Sequence, residues 1–414
     1  MTVSDVVELE GHIIDSGLME RAFTVVMDLG GEFDIEAFNV GESKTEESYC
    51  RMRVIADSEA SLRPILHELH QSGATLADPS DATLEPAPAD RVVPDGFYST
   101  TNHPTDVRVD GEWVPVDDIE MDCAVVVSGV DRTPDGASDD GERDAVDRDG
   151  DGATAETRVL NAVSEGDLVV TGDAGIRVRP PERPRDDSGP FGFMRGGVSA
   201  ERPSVSLIRD IAEAVAGTKA RGGRVLCVAG PAVIHAGGGP GSAGNGFAVH
   251  DMERSMYGTS LGMDVETMEH PRKGHKHHIY TISEVVRAGG IEAAVEAGLV
   301  EEGVMYECVR NDREFVLAGS IRDDGPLPDT ITDAVEAQNA IREQARRADL
   351  VLMLSSLLHS VAVGNCLPST TPTVCVDINP ATVTQLLDRG SAQAVGMVTD
   401  VGTFVPLLAE ELLE

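Results

Sequence analysis

From about residue 200 onward, short apolar runs alternate with amphipathic stretches. "RVLCVAG", "EFVLAGS", "DLVLMLSS" and "TVCVDIN" are each continuously apolar and bounded by polar loops. Between them, "TISEVVRAGGIEAAVEAG" and "ITDAVEAQNAIREQARRA" carry helical spacing, and 204–220 predicts a long helix ahead of the first run. Strands without alternation are buried on both faces. Such strands interleaved with helices build a parallel, doubly wound sheet. We therefore expect an α/β domain over 201–414, with its ligand beyond the carboxyl ends of the strands.

The pattern is different before that point. Residues 1–84 predict β-α-β-β-α-β. "VELEGHII" is extended, and Ser16 is placed to cap a helix with Leu18, Ala22, Val25 and Val26 on one face. "FDIEAFNV" follows. In "CRMRVIA", Cys50, Met52, Val54 and Ala56 alternate with Arg51 and Arg53, the mark of a half-buried strand. Asp57 or Ser58 starts a second helix bearing Leu62, Ile65, Leu66 and Leu69. This order is that of a ferredoxin-like α+β domain. Residues 85–200 hold "MDCAVVV", "DLVVTG" and "GIRVRP" among Pro and Asp, which predicts a small β-rich middle domain. An acidic insertion, 131–158, interrupts it with ten acids against four arginines. It has no apolar periodicity and is expected to be disordered. Asp147, Asp149, Asp151 and Gly152 imitate a calcium loop, but Arg158 stands where the bidentate Glu belongs, so no calcium is expected.

Composition narrows the partners. A net charge of −39 over 414 residues excludes nucleic acid and anionic membranes as partners. Of 33 basic residues only Lys44, Lys219, Lys273 and Lys276 are lysine. Such a surface resembles proteins of salt-accumulating halophiles, whose self-repulsion is screened by molar salt; a basic docking partner is the alternative. No apolar run reaches the ~18 residues of a membrane span. The start "MTVSDVVELEG" lacks the basic and apolar regions of a secretion signal. Six cysteines without a CxxC pair suit core positions in a reducing cytoplasm.

The loop "HAGGGPGSAGNG" contains a formal GxGxxG at Gly239, Gly241 and Gly244. It starts too late after its strand for the ordinary dinucleotide motif, yet exposed N–H groups on a flexible backbone suit phosphate. Stronger signals lie at other strand ends. "VDIN" places Asp377 where a carboxylate grips a ribose diol. "LSSLLHS" puts Ser355, Ser356 and His359 at a strand-to-helix turn. "AGSIRDDGPLPD" supplies Arg322, Asp323 and Asp324, and "VTDVG" supplies Asp400. Singly each Asp is a turn or cap residue; together they outline a nucleotide crevice.

The stretches "GPAVIHAGGG", "GNGFAVHDME", "GTSLGMD", "GHKHH", "FVLAGSIRDDGPLPD", "LLHSVAVGNCLPS" and "CVDINPATVTQLLDRGSAQAVGMVTDV" resemble the archaeal-type, NAD-dependent ornithine cyclodeaminases. "GHIIDSGLMERAF" resembles the N-terminal region that family shares with lysine-ketoglutarate reductase/saccharopine dehydrogenases. The resemblance implies a Rossmann-like domain related to deoxyhypusine synthase, NAD as cofactor, L-ornithine as substrate, and a homodimer or homotetramer. Carried over by motif, NAD contacts fall on Asn245, Gly246, Asp324, Ser356, Leu357, Leu358, His359, Asp377, Asp400 and Val401. The implied reaction converts ornithine to proline plus ammonia. A hydride leaves Cα, the δ-amine closes the ring, ammonia departs and the hydride returns. It needs a base, an acid and exclusion of water.

For the proton work, His250, Asp251 and Glu253 of "VHDME" stand close to the loop. On a helix 250 and 253 share a face while 251 points elsewhere, so the three do not act together; a helix-dipole-favoured acidic turn is the alternative. In "GHKHH", His275, His277 and His278 would be split by strand alternation, so no metal is expected. The catalytic expectation rests on His250, Asp251 and His278. A saccharopine-type amino-acid dehydrogenase and a non-catalytic NAD- or amino-acid-sensing module remain open beside the cyclodeaminase, and ornithine and lysine differ by one methylene.

Overall fold

The computed structural model describes residues 2–14, 17–41, 46–130, 152–180, 204–236, 242–265, 267, 269, 271, 274–320, 326–388 and 394–413. The chain divides into two units, Met1–Asp186 and Asp187–Glu414.

The first unit opens with β1 (Val3–Gly11), α1 (Leu18–Asp28), β2 (Glu32–Asn39), β3 (Ser48–Ala56), α2 (Glu59–Gln71) and β4 (Thr75–Leu76). The sheet is antiparallel in the order β2-β3-β1-β4, as the ferredoxin-like pattern requires. Alternation in β3 buries Ser48, Cys50, Met52, Val54 and Ala56 against Met19, Ala22 and Val26 of α1 and Leu62, Ile65 and Leu69 of α2. Ser58 caps α2 by accepting the Ser61 N–H. The other expected cap, Ser16, lies outside the described residues. Helix α1 instead follows Gly17 at φ 70°, in the left-handed region that glycine enters without strain.

Seven further strands form a second sheet in this unit: β5 (Thr83–Pro86), β6 (Thr105–Val109), β7 (Glu112–Asp117), β8 (Ala124–Ser128), β9 (Thr154–Arg158), β10 (Leu168–Thr171) and β11 (Ile176–Val178), in the order β11-β6-β7-β9-β8-β10-β5. The expected insertion 131–158 is corrected here. Residues 131–151 lie outside the described residues, but Thr154–Arg158 is a central strand, antiparallel to β8 and parallel to β7. Ala155 and Thr157 are buried, and Ser128 pairs with Thr154. The acidic segment is thus inserted in the turn of a hairpin.

The second unit carries α3 (Ser204–Ala220), β12 (Val225–Ala229), β13 (Ser242–Gly244), α4 (Asn245–Tyr257), the two-stranded β14 (Thr259–Ser260) and β15 (Met263–Asp264), then α5 (His277–Ala288), α6 (Ile291–Glu296), α7 (Val304–Arg310), β16 (Leu317–Ala318), β17 (Thr330–Ile331), α8 (Ala334–Arg346), β18 (Leu350–Leu354), α9 (Leu357–Asn365), β19 (Thr373–Asp377), α10 (Pro380–Asp388), β20 (Ala394–Val398) and α11 (Val401–Leu413). Its main sheet is wholly parallel, in the order β17-β16-β13-β12-β18-β19-β20. Cys227, Ala229, Leu350, Leu352, Leu354, Val374 and Val376 face one core with α3, α4, α5–α7 and α11. Leu226, Val228, Val351, Met353 and Cys375 face the other with α8, α9 and α10. Period-two alternation between two buried faces explains why these strands show no alternation of polarity. The helical stretch 281–298 divides into α5 and α6 at Gly289 and Gly290, at φ 102° and 142°. Among the described residues no helix is long and apolar enough to cross a membrane.

Candidate active site

From β12 the chain builds outward through β13, β16 and β17, then crosses back to β18 and builds the other way. The order reverses between β12 and β18, and ligands of doubly wound sheets bind in the crevice at that point. Two backbones converge there. Gly230, just past β12, donates its N–H to Leu354 O at 2.8 Å, and a Cβ on it would lie 2.0 Å from the Ser355 carbonyl oxygen. Only glycine permits that approach. Ser355 itself sits at φ 47°, a left-handed conformation that costs a non-glycine residue of order 1–2 kcal/mol. Its Oγ is buried without a hydrogen-bond partner among the described residues. Backbone strain and an orphaned hydroxyl thus coincide at the switch point.

The neighbouring strand ends add what a dinucleotide needs. Gly239 and Gly241 of the formal motif lie outside the described residues. Gly244 closes β13, the second strand, and α4 begins directly after it at Asn245. The N–H groups of this helix start are therefore delivered to the carboxyl edge of the sheet, where an anion is favoured. A Cβ at Gly246 would meet nothing within 4 Å, so this helical glycine borders open space. Across the switch, Ser356 precedes α9 and makes no side-chain capping bond, while Leu357 and Leu358 are exposed apolar residues on its first turn. Burial holds the His359 imidazole below its ordinary pKa, so it is neutral at pH 7.

Asp377 ends β19. It is 8% exposed, and its Oδ1 accepts the Asn379 N–H at 2.8 Å. Capping of α10 falls to Asn379, whose Oδ1 accepts the Ala381 N–H. Asp377 is thereby free of the capping role that competes for an Asp at this position. Asp400 differs: it precedes α11 and accepts the Gly402 N–H at 3.1 Å, a cap geometry on the crevice edge. The side chain of Val401 is buried in the core, which leaves only its backbone for a ligand. Asp324, with 321–325, lies outside the described residues.

The imidazole groups form a second constellation. On α4, His250 Nδ1 lies 2.8 Å from Glu253 Oε2. Glu253 Oε1 accepts from Thr259 Oγ1 at 2.7 Å and from the Gly262 N–H at 3.0 Å. Thr259 Oγ1 in turn lies 2.8 Å from His277 Nδ1. Tyr257 stacks on His277 at 4.9 Å, and the His278 ring lies 6.2 Å from that of His250. The Glu253 side chain is 0% exposed. Burial acts to raise its pKa, but hydrogen bonds from His250, Thr259 and Gly262 outweigh burial and hold it below the ordinary value. Strand alternation does not apply to "GHKHH": His277 and His278 open helix α5. Thr259 and the Gly262 N–H were not singled out from the sequence; both lie in the "GTSLGMD" stretch.

Asp251 stands apart from its two neighbours, as helical spacing predicts. It points away from His250, is 2% exposed, and its Oδ2 accepts the Met305 N–H at 2.7 Å at the start of α7. Gly303, at φ 104°, packs against its carboxylate. Burial raises its pKa, and the N–H groups of Met305 and Val304 oppose the shift. Asp251 thus accepts N–H groups at the start of α7, apart from the His250–Glu253 face of α4. All six cysteines are buried, and burial pushes Cys227, Cys308 and Cys375 to about 12, which disfavours the thiolate at these three.

Known proteins share this organisation. Residues 4–103 match the model of the LOR/SDH bifunctional enzyme conserved region. Residues 104–139 and 144–208 match the first region of the C-terminal part of arginine dihydrolase ArgZ-like proteins, and 209–408 match its Rossmann fold. The apo crystal structure of ArgZ, an arginine dihydrolase from the cyanobacterial ornithine–ammonia cycle, superposes with a TM-score of 0.81 at 38% identity, covering 100% of this chain and 58% of that one. A conserved LOR/SDH protein from Methanococcus maripaludis S2 gives 0.69 at 46%, covering 81% and 98%. The ornithine cyclodeaminase of Methanopyrus kandleri is 49% identical over 421 residues, 99% of this chain and 97% of its own, and that of Methanothermobacter thermautotrophicus is 48% identical over 98% and 97%. With such identity sustained over nearly the full length of both chains, the protein belongs to the ornithine cyclodeaminase family.

Proposed function

We propose that the protein converts L-ornithine to L-proline and ammonia, using NAD that it returns unchanged. The observation that carries this reading is the built crevice at the switch point. An orphaned Ser355 hydroxyl, the N-termini of α4 and α9, and the carboxylate of Asp377 there match the phosphate and ribose groups of a dinucleotide. Asp377 accepts the ribose hydroxyls and repels a 2′-phosphate, which favours NAD over NADP. Gly246 leaves room for the pyrophosphate beside the first N–H groups of α4.

When bound, NAD supplies a reversible acceptor for the substrate Cα hydride. The chain's own residues do the rest. His250, one and a half turns into α4, accepts a proton from the substrate ammonium at Nε2, and the Glu253 carboxylate steadies the imidazolium that results. The proton is later returned to the departing amine, so one imidazole serves as base and then as acid. Exposed Leu357 and Leu358 supply apolar surface at the crevice, which limits access of water to the imine.

The test is incubation of the pure protein with NAD and L-ornithine in molar salt, assaying proline, ammonia and absorbance of NADH. Proline and ammonia in equal amounts, without accumulating NADH, are expected. Stoichiometric NADH would refute the cyclodeaminase reading in favour of an amino-acid dehydrogenase, and no turnover at all would favour a sensing module.

A further inference from the structure

One carboxylate, that of Glu253, is bonded to two imidazole systems, and donor–acceptor rules fix the direction of every link. A carboxylate only accepts. The single Thr259 hydroxyl proton is given to Glu253 Oε1, so Thr259 Oγ1 meets His277 Nδ1 as an acceptor, and His277 Nδ1 must carry its hydrogen. His250 Nδ1 faces Glu253 Oε2, so it too must carry hydrogen. The Leu261 N–H lies 3.4 Å from the same nitrogen, too far to compete with a 2.8 Å contact to a carboxylate. In the neutral rings both Nε2 atoms are then unprotonated, and neither makes a hydrogen bond among the described residues.

We propose that Glu253 is a positioning residue that fixes His250 directly, and His277 through Thr259, in one tautomer with Nε2 presented as proton acceptor, within the cyclodeaminase site read above. Three elements supply the linked groups: His250 and Glu253 lie on α4, Thr259 on β14 and His277 at the start of α5. One buried carboxylate is shared by the two ring systems, and both Nε2 atoms are left as acceptors, which suits a reaction that withdraws a proton and later gives it back. The groups facing the pair are His278 at 6.2 Å from His250, Tyr257 stacked on His277, and Tyr280 at 6.5 Å from Tyr257.

The test uses the full chain labelled with ¹⁵N-histidine. Signals of His250 and His277 are assigned with His250→Gln and His277→Gln, and the tautomers are read from the Nδ1 and Nε2 shifts. Both rings are expected as Nδ1–H in the resting protein. Glu253→Gln should shift both toward mixed tautomers, and Thr259→Val should shift His277 alone. Turnover in Glu253→Gln should fall at least ~10²-fold in kcat, with NAD affinity unchanged, the acid limb of kcat/KM moved to lower pH, and partial recovery in Glu253→Asp. A resting protein with Nε2–H rings, or a Thr259→Val variant that shifts both rings or neither, overturns the proposal. Because the tautomers are read without substrate, they decide the proposal even if ornithine is not turned over, in which case the functional reading fails separately.

Discussion

Substitution of Asp377 separates the backbone bond its carboxylate makes from the ribose contact proposed for it. Its Oδ1 accepts the Asn379 N–H at 2.8 Å, and at 8% exposure little water can replace that acceptor. Asp377→Ala therefore leaves a backbone N–H unpaired, which costs about 1–3 kcal/mol of stability. It also removes the proposed acceptor for the ribose diol; a charge-assisted bond there would contribute roughly 1.5–3 kcal/mol, or about 10- to 150-fold in Kd. Asp377→Asn keeps the Oδ1 acceptor and loses only the charge. Its melting temperature should match the parent, while NAD binding weakens and the preference over NADP narrows, because repulsion of a 2′-phosphate is gone. Calorimetric titration with NAD and NADP in molar salt, beside thermal melts of both variants, measures the two effects independently. Unchanged NAD affinity in a folded Asp377→Ala protein would refute its place in the crevice. Equal loss of stability in both variants would refute the role assigned to the Asn379 bond.

Other expectations follow from single contacts. Asp251→Ala strips the acceptor from the N–H groups of Val304 and Met305 and should destabilise by about 1–3 kcal/mol without moving the pH profile of turnover; a moved profile would return Asp251 to proton transfer. Glu253 has a folded pKa below its unfolded value of 4.5, so its stabilisation is complete above pH 4.5 and is lost as pH falls through the folded value. Acid unfolding of Glu253→Gln should accordingly be shallower than that of the parent below pH 4.5, and equal slopes would contradict the pairing. Gly129 and Gly152 lie side by side at the open end of the β8–β9 hairpin, so replacing 131–151 by a short turn should leave the fold intact, whereas deletion through Arg158 removes a central strand and should abolish it; limited proteolysis and melting distinguish the two. With a net charge of −39, the melting temperature should rise steeply from dilute buffer to molar KCl; indifference to salt would count against a halophilic surface.

The sequence by itself determined those features whose signal is local and periodic. Continuous apolar runs announced β12, β18 and β19 because a strand covered on both faces has no polar side. Alternation announced β3. The place of Asp377 at a strand's end was legible because it follows such a run. Tertiary structure decided the rest. Strand β9 buries only Ala155 and Thr157 and exists through pairing with β7 and β8, so "TAETR" carries too little apolar weight to announce itself inside an acidic stretch. The left-handed Ser355 and its close approach to Gly230 arise where two distant backbones meet. Asp251 became a cap because its partner, Met305, is 54 residues away. Glu253 became the hub of the imidazole cluster only when α4, β14 and α5 converged. Hydrophobic periodicity records which face of an element is buried, and it is readable one element at a time. A directional hydrogen bond between elements leaves no period in either, so it is decided only when packing brings donor and acceptor together.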